Sequence, residues 1–497
     1  MTTPNAVQHQ DLAQALQLNS GGPSAPHVVI ALPSFSVGES LLAHYGERLA
    51  PLEHRYLLAH LMLNRIDDCE VVFITAVAPE EEVLAYYRAL VREERREALR
   101  TGLHVVEVAD RTVRPVAAKL LARPDLIAQL REHVGDRPAL IEPWNVTEAE
   151  TELARQLGFP INGTPPELWP LGFKSAGRRL MAGAGVPVPP GREDLHGAEE
   201  VLAAIAELRR ERPDATGLVV KSDDAGAGDG NRVLRFDRLD GPDALRAEVL
   251  SWPDWYQADL EAGCVVEELI CGEAFTSPSV QVDLPPDGEP VVLSTHEQIL
   301  GGPGGQVYLG CRFPAEPAYA RRLAEQGAAV GRALCREGAL GRVGVDFAAA
   351  LQPDGHWDVY ALEINLRKGG TTHPFSALRN LVPGRYDREE GRWVTEEGST
   401  RCYVSTDNLV DPTWVGRRSQ GVIDAIAEAG LEFECSTGRG VVLHMLSGLA
   451  VDGRFGLTAI GTSADDAEGL YDGAVTAVRQ ARDLSRRKPS HGEQRPT

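Results

Sequence analysis

The stretch "LEINLRKGGTTHP" sets Glu363, Asn365, Arg367, Lys368, Gly369, Gly370 and His373 directly behind an apolar, strand-like "VYALEI". Upstream, "RVGVDFAAALQPDGHWDVYALEINL" reads as two apolar strands joined at the turn signal "PDG". A turn centred between Asp354 and Gly355 pairs Asp346 with Glu363 across the hairpin. The period of two then puts Asn365 on the same face and sends Leu362, Ile364 and Leu366 into a core. Two ionised carboxylates about 5 Å apart repel by roughly 3 kcal/mol at an effective dielectric near 20. A divalent cation between them reverses that sign, and Asp, Glu and an Asn carbonyl are hard oxygen donors suited to Mg²⁺. A register displaced by one residue leaves both acids as solvated edge charges instead.

Three weaker signals accompany this hairpin. "GLVVKSDDAGAGDGNRV" ends a strand at Lys221 and runs into Gly226, Gly228, Gly230 and Asn231. Alternate glycines let backbone N–H groups approach an anion, although a flexible hairpin tip has the same composition. No G-K-[ST] follows, so this is not a P-loop, and no G-x-G-x-x-G follows the first strand. "CVVEELICGEAF" carries Glu267, Glu268 and Glu273 on an apolar strand. A strand edge can pair with a purine, and a glutamate accepts from an amino group or a ribose hydroxyl; exposed acids near a turn are the plainer account. Lys174 opens a predicted helix against its dipole, and so is either solvated or bound to an anion. His296, in "STHEQIL", is either a site residue or a structural strand histidine.

The elements that position these residues follow from the wider pattern. A chain of 497 residues is too long for one core, and about three domains is the natural expectation. From His27 to Gly158, "HVVIALP", "CEVVFITAV", "LHVVEVAD" and "PALIEPW" alternate with amphipathic stretches such as "PEEEVLAYYRALVREERREAL". That alternation predicts an α/β, doubly wound unit with parallel strands. "TEAE" at Thr147 is a capping box, and "GFPINGTPPELWPLG" reads as a linker. The boundaries expected are a disordered leader 1–25, a first domain 26–165, a second 166–385, a small α+β third domain 400–486, and a disordered tail 487–497. "PGRYDREEGRWVTEEGST" reads as a loop, and the third unit as helix, hairpin and helix with its turn near Asp452-Gly453.

Composition narrows the partners. A net charge of −22 argues against nucleic acid. No run of eighteen apolar residues is present, and the N-terminus lacks the basic start and apolar core of a secretory signal. The seven cysteines (69, 264, 271, 311, 335, 402 and 435) are scattered without a C-x-x-C pair, which points to a reducing cytoplasm. Oligomeric state is left open.

In order, Lys174, Lys221 with its glycines, Glu267-Glu268, Asp346 and Glu363-x-Asn365-x-Arg367 resemble the ATP-grasp superfamily over about residues 171–381. "ALPSFSVGES", "EHRYLL", "THEQILGGPGGQVYLGC", "EINLRKGGTTHP" and "GRGVVLHML" look more specifically like the pre-ATP-grasp peptide ligases of the pheganomycin type, over nearly the whole chain. The resemblance implies a pre-ATP-grasp first domain, an ATP-grasp domain of two α+β subdomains, and a C-terminal α+β domain. It implies ATP and Mg²⁺ as cofactors, an amino-acid-like carboxylate donor and a peptide amine acceptor, joined through an acylphosphate with release of ADP and phosphate. Lys174, Lys221, Gly226, Gly228, Gly230 and Asn231 would hold the phosphates. Glu267, Glu268 and the backbone of Leu269 and Ile270 would take the adenine, with Glu273 on the ribose. Asp346, Glu363 and Asn365 would carry Mg²⁺, while Arg367 would meet the charge developing on the transferring group. Gly369 and Gly370 would let backbone approach the acyl substrate, and Lys368 and His373 would orient it or help deprotonate the amine; His373 equally ends the loop before Pro374. Two departures from the broader superfamily stand out: Leu366 replaces the proline of E-x-N-P-R, and Glu273 directly follows Gly272. A kinase-like or small amino-acid ligase, and a nucleotide-binding protein without turnover, are the alternatives.

Overall fold

The computed structural model describes residues 4–20, 25–95, 102–224, 230–239, 241–302 and 307–481. Near the N-terminus, Pro4–Asn19 forms a helix with Leu12 and Ala15 buried, where the composition predicted a disordered leader. Two apolar side chains one turn apart find a partner in the core behind them, which polarity averaged over the segment conceals.

β1 (His27–Leu32), β2 (Cys69–Thr75), β3 (Leu103–Glu107) and β4 (Ala139–Pro143) form a parallel sheet in the order β3-β2-β1-β4. The continuous apolar runs of β1, β2 and β4 follow from burial on both faces, whereas β3 lies at the edge and exposes His104 and Glu107. Val28, Ile30 and Leu32 pack into one core with the helices Val116–Leu121, Pro124–Val134 and Glu148–Leu157. Val29 and Ala31 point the other way, into a core shared with the C-terminal part of the chain. Glu148–Leu157 is opened by the expected capping box of Thr147 and Glu150. The helix foreseen from Pro79 onward is shorter, Glu81–Ala89. The sheet order reverses between β1 and β4, so their C-terminal ends frame a crevice of the kind that binds ligands.

β5 (Gly191–Leu195), β6 (Gly217–Ser222), β7 (Asn231–Arg235) and β8 (Cys264–Glu268) make a second, antiparallel sheet in the order β5-β8-β6-β7. The third sheet holds β9 (Ala274–Thr276), β10 (Pro278–Leu284), β11 (Val291–Gly301), β12 (Val307–Phe313), β13 (Gly341–Leu351), β14 (Trp357–Asn365), β15 (Gly384–Asp387), β16 (Arg392–Thr395), β17 (Thr400–Val410), β18 (Gly440–His444) and β19 (Arg454–Gly461). Its path is β14-β13-β10-β11-β12-β17-β16-β15, with β19 and β18 continuing from β17. The sheet therefore runs straight through the boundary expected at 385–400. "PGRYDREEGRWVTEEGST" is not a loop but the β15–β16 hairpin, whose exposed charges disguised it while Trp393 was buried. The stretch read as a linker is stitched in by bridges from Ile161 to Ile141 and from Gly163 to Gly341.

The signature "EHRYLL" runs from Glu53, the last residue of helix Leu49–Glu53, into the 3-10 segment His54–Asn64, which packs against the C-terminal end of β2. Glu53 accepts from the Ala76 N–H (2.7 Å) and the Thr75 hydroxyl (3.0 Å). His54 bonds the Val77 carbonyl and the Ser447 hydroxyl, at 2.8 and 2.6 Å. Arg55 reaches Asp407 on β17 at 2.6 Å. One short segment thus ties the first sheet to the last. Burial lifts the Glu53 carboxyl from its ordinary 4.5 to about 7, against the hydrogen bond from Ala76. A carboxyl whose pKa is raised by folding stabilises fully below its unfolded pKa and loses that contribution as pH rises through the folded value. Between pH 4.5 and 7.5, urea denaturation of the wild type should therefore lose about 3 kcal/mol relative to Glu53→Gln.

Candidate active site

The site forms where the second and third sheets and the end of β4 converge. Asp346 on β13 pairs directly with Glu363 on β14, and Gly344 with Asn365, as the turn position predicted. Nearer the turn the register is displaced by one residue, with Phe347 opposite Ala361, and a β-bulge between the two registers restores the opposition of the acids. The bulge also changes side-chain parity. Val359, Ala361, Ile364 and Leu366 enter the core, whereas Leu362 does not, contrary to the simple alternation.

The two acids behave differently. Burial and the neighbouring Glu363 push Asp346 up to about 8. Burial would raise Glu363 as well, but the Lys174 ammonium, 2.6 Å from its Oε2, holds it at about 2. Asn365 donates from Nδ2 to Asp346 at 2.9 Å and to Glu363 at 3.3 Å, and Gln298 on β11 donates to the other Asp346 oxygen at 2.9 Å. Asp346 ionises beside Glu363 only with added positive charge, and the donors are all hard oxygens once the Asn365 amide turns over. These residues fit a Mg²⁺ ion.

Lys174 and Lys221 enter from the second sheet. Helix Lys174–Gly183 is capped from outside by Asp223, whose Oδ1 accepts from the Ser175 N–H and hydroxyl at 2.9 and 2.8 Å. An acid that looked misplaced beside a phosphate loop thus holds the helix carrying Lys174. Lys221 pairs with Glu267 at 2.6 Å, and Arg178, one helical turn after Lys174, bonds Glu267 and Glu193, each at 2.8 Å. Glu267 is buried among these cations, and Glu268 points to the opposite face, onto Arg212 at 2.8 Å. Alternation therefore separates the two glutamates that the resemblance assigned jointly to adenine. The Glu268 and Leu269 N–H groups are spent on the Pro190 and Gly217 carbonyls, while Ile270 follows in the loop and Glu273 lies exposed beyond it. Asn231 pairs with Lys221 across β6–β7, and the Gly230 carbonyl accepts from the Tyr256 hydroxyl; Gly226 and Gly228 lie outside the described residues.

Behind the β13–β14 hairpin the chain meets the first domain. The Arg367 guanidinium lies 4.9 Å from the centroid of the Trp144 ring. Lys368 is not aimed at the carboxylates: its ammonium bonds Glu142 Oε2 at 2.7 Å and the Pro143 carbonyl at 2.5 Å, and its N–H donates to the Trp144 carbonyl. Gly369 borders an open cavity, but Gly370 is needed elsewhere, since a Cβ there would lie 2.4 Å from the Tyr308 ring. His373 and His444 both bond Asp407 Oδ1, at 2.8 and 2.7 Å, and the two Nε2 atoms are 3.2 Å apart. Burial holds His373 down to about 4, against the Asp407 charge, so its imidazole is neutral at pH 7. His296 is a core residue, fully buried on Tyr403 with a 2.6 Å bond, and has no place at the site.

Gln298, Arg178, Trp144, Glu142, Arg55, Asp407 and His444 escaped the sequence reading. Arg55, Gln298 and His444 lay inside stretches that carried the resemblance without being singled out, and Glu142 showed as an acid interrupting the apolar "PALIEPW".

Comparison with known proteins matches residues 60–159 to the Pre ATP-grasp domain and residues 421–474 to the PGM1 C-terminal domain. L-propargylglycine–L-glutamate ligase of Streptantibioticus cattleyicolor is 32% identical over 421 residues, 82% of this chain and 85% of that protein. Among solved structures, a biotin carboxylase–β-γ-ATP complex from Campylobacter jejuni aligns with a TM-score of 0.53 at 16% identity, covering 91% of this chain and 90% of that one. The biotin carboxylase domain of Hydrogenobacter thermophilus 2-oxoglutarate carboxylase, solved with MgADP, gives 0.52 at 15% identity, covering 90% and 89%. These two share the fold.

The Lys368–Glu142 contact should behave as a partly buried, charge-assisted pair. Lys368→Met or Glu142→Gln alone should cost about 2–3 kcal/mol in urea denaturation. The double variant should recover at least about 1 kcal/mol of the summed loss.

Proposed function

The chain belongs to the pre-ATP-grasp peptide ligases, carboxylate–amine ligases of the ATP-grasp fold, and on that premise we propose that it joins an amino-acid-like carboxylate to the amine of a peptide through an acylphosphate. The observation that carries the reading is the opposition of Asp346 and Glu363, with Asn365 between them and Lys174 and Arg367 at either side. ATP phosphorylates the carboxylate, the amine attacks the acyl carbon, and phosphate leaves with the bonding electrons of the broken C–O bond.

Side chains do little covalent work in such a sequence; they position groups and neutralise charge. Mg²⁺, when bound by Asp346, Glu363 and Asn365, supplies positive charge to the phosphates. Lys174 and Lys221, held on Glu363 and Glu267 in the free protein, turn to the phosphates of the nucleotide. Arg367, held over the Trp144 ring, would meet the charge that builds on the transferring group and on the tetrahedral oxyanion. His373, neutral and held by Asp407, would orient the substrate rather than take the amine's proton, because with a pKa of about 4 its imidazole is a weak base. A reducing cytoplasm suits all seven cysteines, which are free thiols. Among the described residues no helix is long and apolar enough to cross a membrane.

Incubation with ATP, Mg²⁺, single amino acids and hydroxylamine should yield ADP and an amino-acid hydroxamate. Formation of AMP instead would overturn the acylphosphate. Glu363→Gln should fold normally by circular dichroism and lose ligation, and undiminished ligation would remove it from the metal site. Arg367→Ala should lower kcat by about 10²–10³ with a smaller change in KM for ATP.

A further inference from the structure

A cavity of about 450 Å³ opens beside Lys368 and runs between the first sheet, the Pro4–Asn19 helix and helix Thr372–Leu381. Its walls mix aliphatic groups such as Leu58, Met62 and Leu293 with five cations: Arg55, Arg65, Arg342, Lys368 and Arg379. Three of the five are matched by acids: Arg55 by Asp407 at 2.6 Å, Lys368 by Glu142 at 2.7 Å, and Arg342 by Asp283, with Nη2 at 3.3 Å. Two remain. Among the described residues, neither Arg65 nor Arg379 has a carboxylate within ion-pairing distance. Arg65 reaches only neutral oxygens over long distances, Asn380 Oδ1 at 3.4 Å and the Ser20 and Asn19 carbonyls at 3.3 and 3.5 Å. Arg379, preceding Asn380 on its helix, makes no side-chain hydrogen bond to any described residue.

Two further wall atoms are buried without a partner among the described residues, the Tyr56 hydroxyl and Asn19 Oδ1. The Tyr56 donor and the Asn19 acceptor are costly to leave unmet, and the half-buried Arg65 and Arg379 add two like charges on one cavity wall. Burial and the Arg379 charge lower Arg65 to about 10; burial also lowers Arg379, against the more distant Asp283 and Glu142 carboxylates, which are already committed to Arg342 and Lys368. A bound carboxylate would accept from both guanidinium groups and from the Tyr56 hydroxyl, and an N–H or O–H elsewhere on the same molecule would be needed to meet Asn19 Oδ1.

We propose that Arg65 and Arg379 form a binding site for the unreacted carboxylate of a substrate whose aliphatic body fills the cavity. The substrate class is then an amino acid or peptide that retains a free carboxylate while its other end reacts near Arg367. His373 and Arg379 both line the cavity, six residues and about 9 Å of axial rise apart on one helix, so one molecule in the cavity can meet both. This placement rests on the ligase reading only for the direction in which the substrate points; the anion site stands on the cavity itself.

Calorimetric titration of the full chain with L-glutamate, glutarate and the neutral isostere glutaramide tests the site without requiring turnover. The two acids should bind the wild type at least ten-fold more tightly than glutaramide. Arg379→Gln and Arg65→Gln should each remove at least ten-fold of that preference, and Arg379→Lys should keep part of it. Without ligand, Arg379→Gln should melt close to the wild type, because it breaks no ion pair and the lost attraction to Asp283 and Glu142 is offset by relief of the Arg65 and Arg342 repulsion. No preference for the acids, or a lowered Tm in Arg379→Gln with the preference intact, overturns the proposal. In the ligase assays, a raised KM for the acid in hydroxamate formation assigns the site to the donor. A rise confined to the amine in full ligation assigns it to the acceptor, and unchanged KM for both overturns the proposal. A chain that prefers the acids but forms no ADP and hydroxamate keeps the anion site and loses the ligase reading.

Discussion

Everything at the centre of this protein depends on two carboxylates held face to face across β13 and β14. Left to themselves they repel, so the arrangement exists only because cations surround it and the strands cannot slide. Lys174 neutralises Glu363, Asp346 is pushed toward its protonated form, and Asn365 and Gln298 donate hydrogen bonds into the remaining space. The bulge between Asp346 and Phe347 sets the register. Displacing it by one residue would turn one acid toward the core.

The surrounding architecture serves to keep that hairpin supplied with charge. Asp223 caps the helix that carries Lys174, and Arg178 on the same helix anchors Glu267 against Lys221. From the other side the first domain offers Glu142 and Trp144 at the end of β4, next to the point where its strand order reverses. The "PSFSVG" loop after β1 is fastened there by reciprocal bonds between Ser36 and Asn145, at 3.2 and 2.6 Å. Three regions distant in sequence, Arg55, His373 and His444, meet on Asp407. These segments, separate in sequence, are continuous in one core.

Much of this was legible from residue types. The α/β alternation of the first domain, the capping box at Thr147, the β13–β14 hairpin and the pairing of Asp346 with Glu363 all follow from local periodicity and turn chemistry. The pairing emerged although the register nearest the turn differs from the assumed one, because the bulge compensates. Misassignments arose where a side chain's partner is remote. Lys368 looked catalytic beside Arg367, yet it serves Glu142, more than two hundred residues away. His296 looked available until Tyr403 closed over it, and Gly370 looked like room for a substrate until Tyr308 occupied it.

By itself the sequence determined which residues could carry charge to a phosphate and a metal, since local spacing decides which side chains share one face of one strand. Only the tertiary structure decided which of the charges are already matched within the protein. Pairing is a property of distance in space, and Arg55 and Arg65, ten residues apart, differ solely in whether a carboxylate from another strand reaches them. That difference separates an arginine that holds the fold together from one that is left facing the cavity.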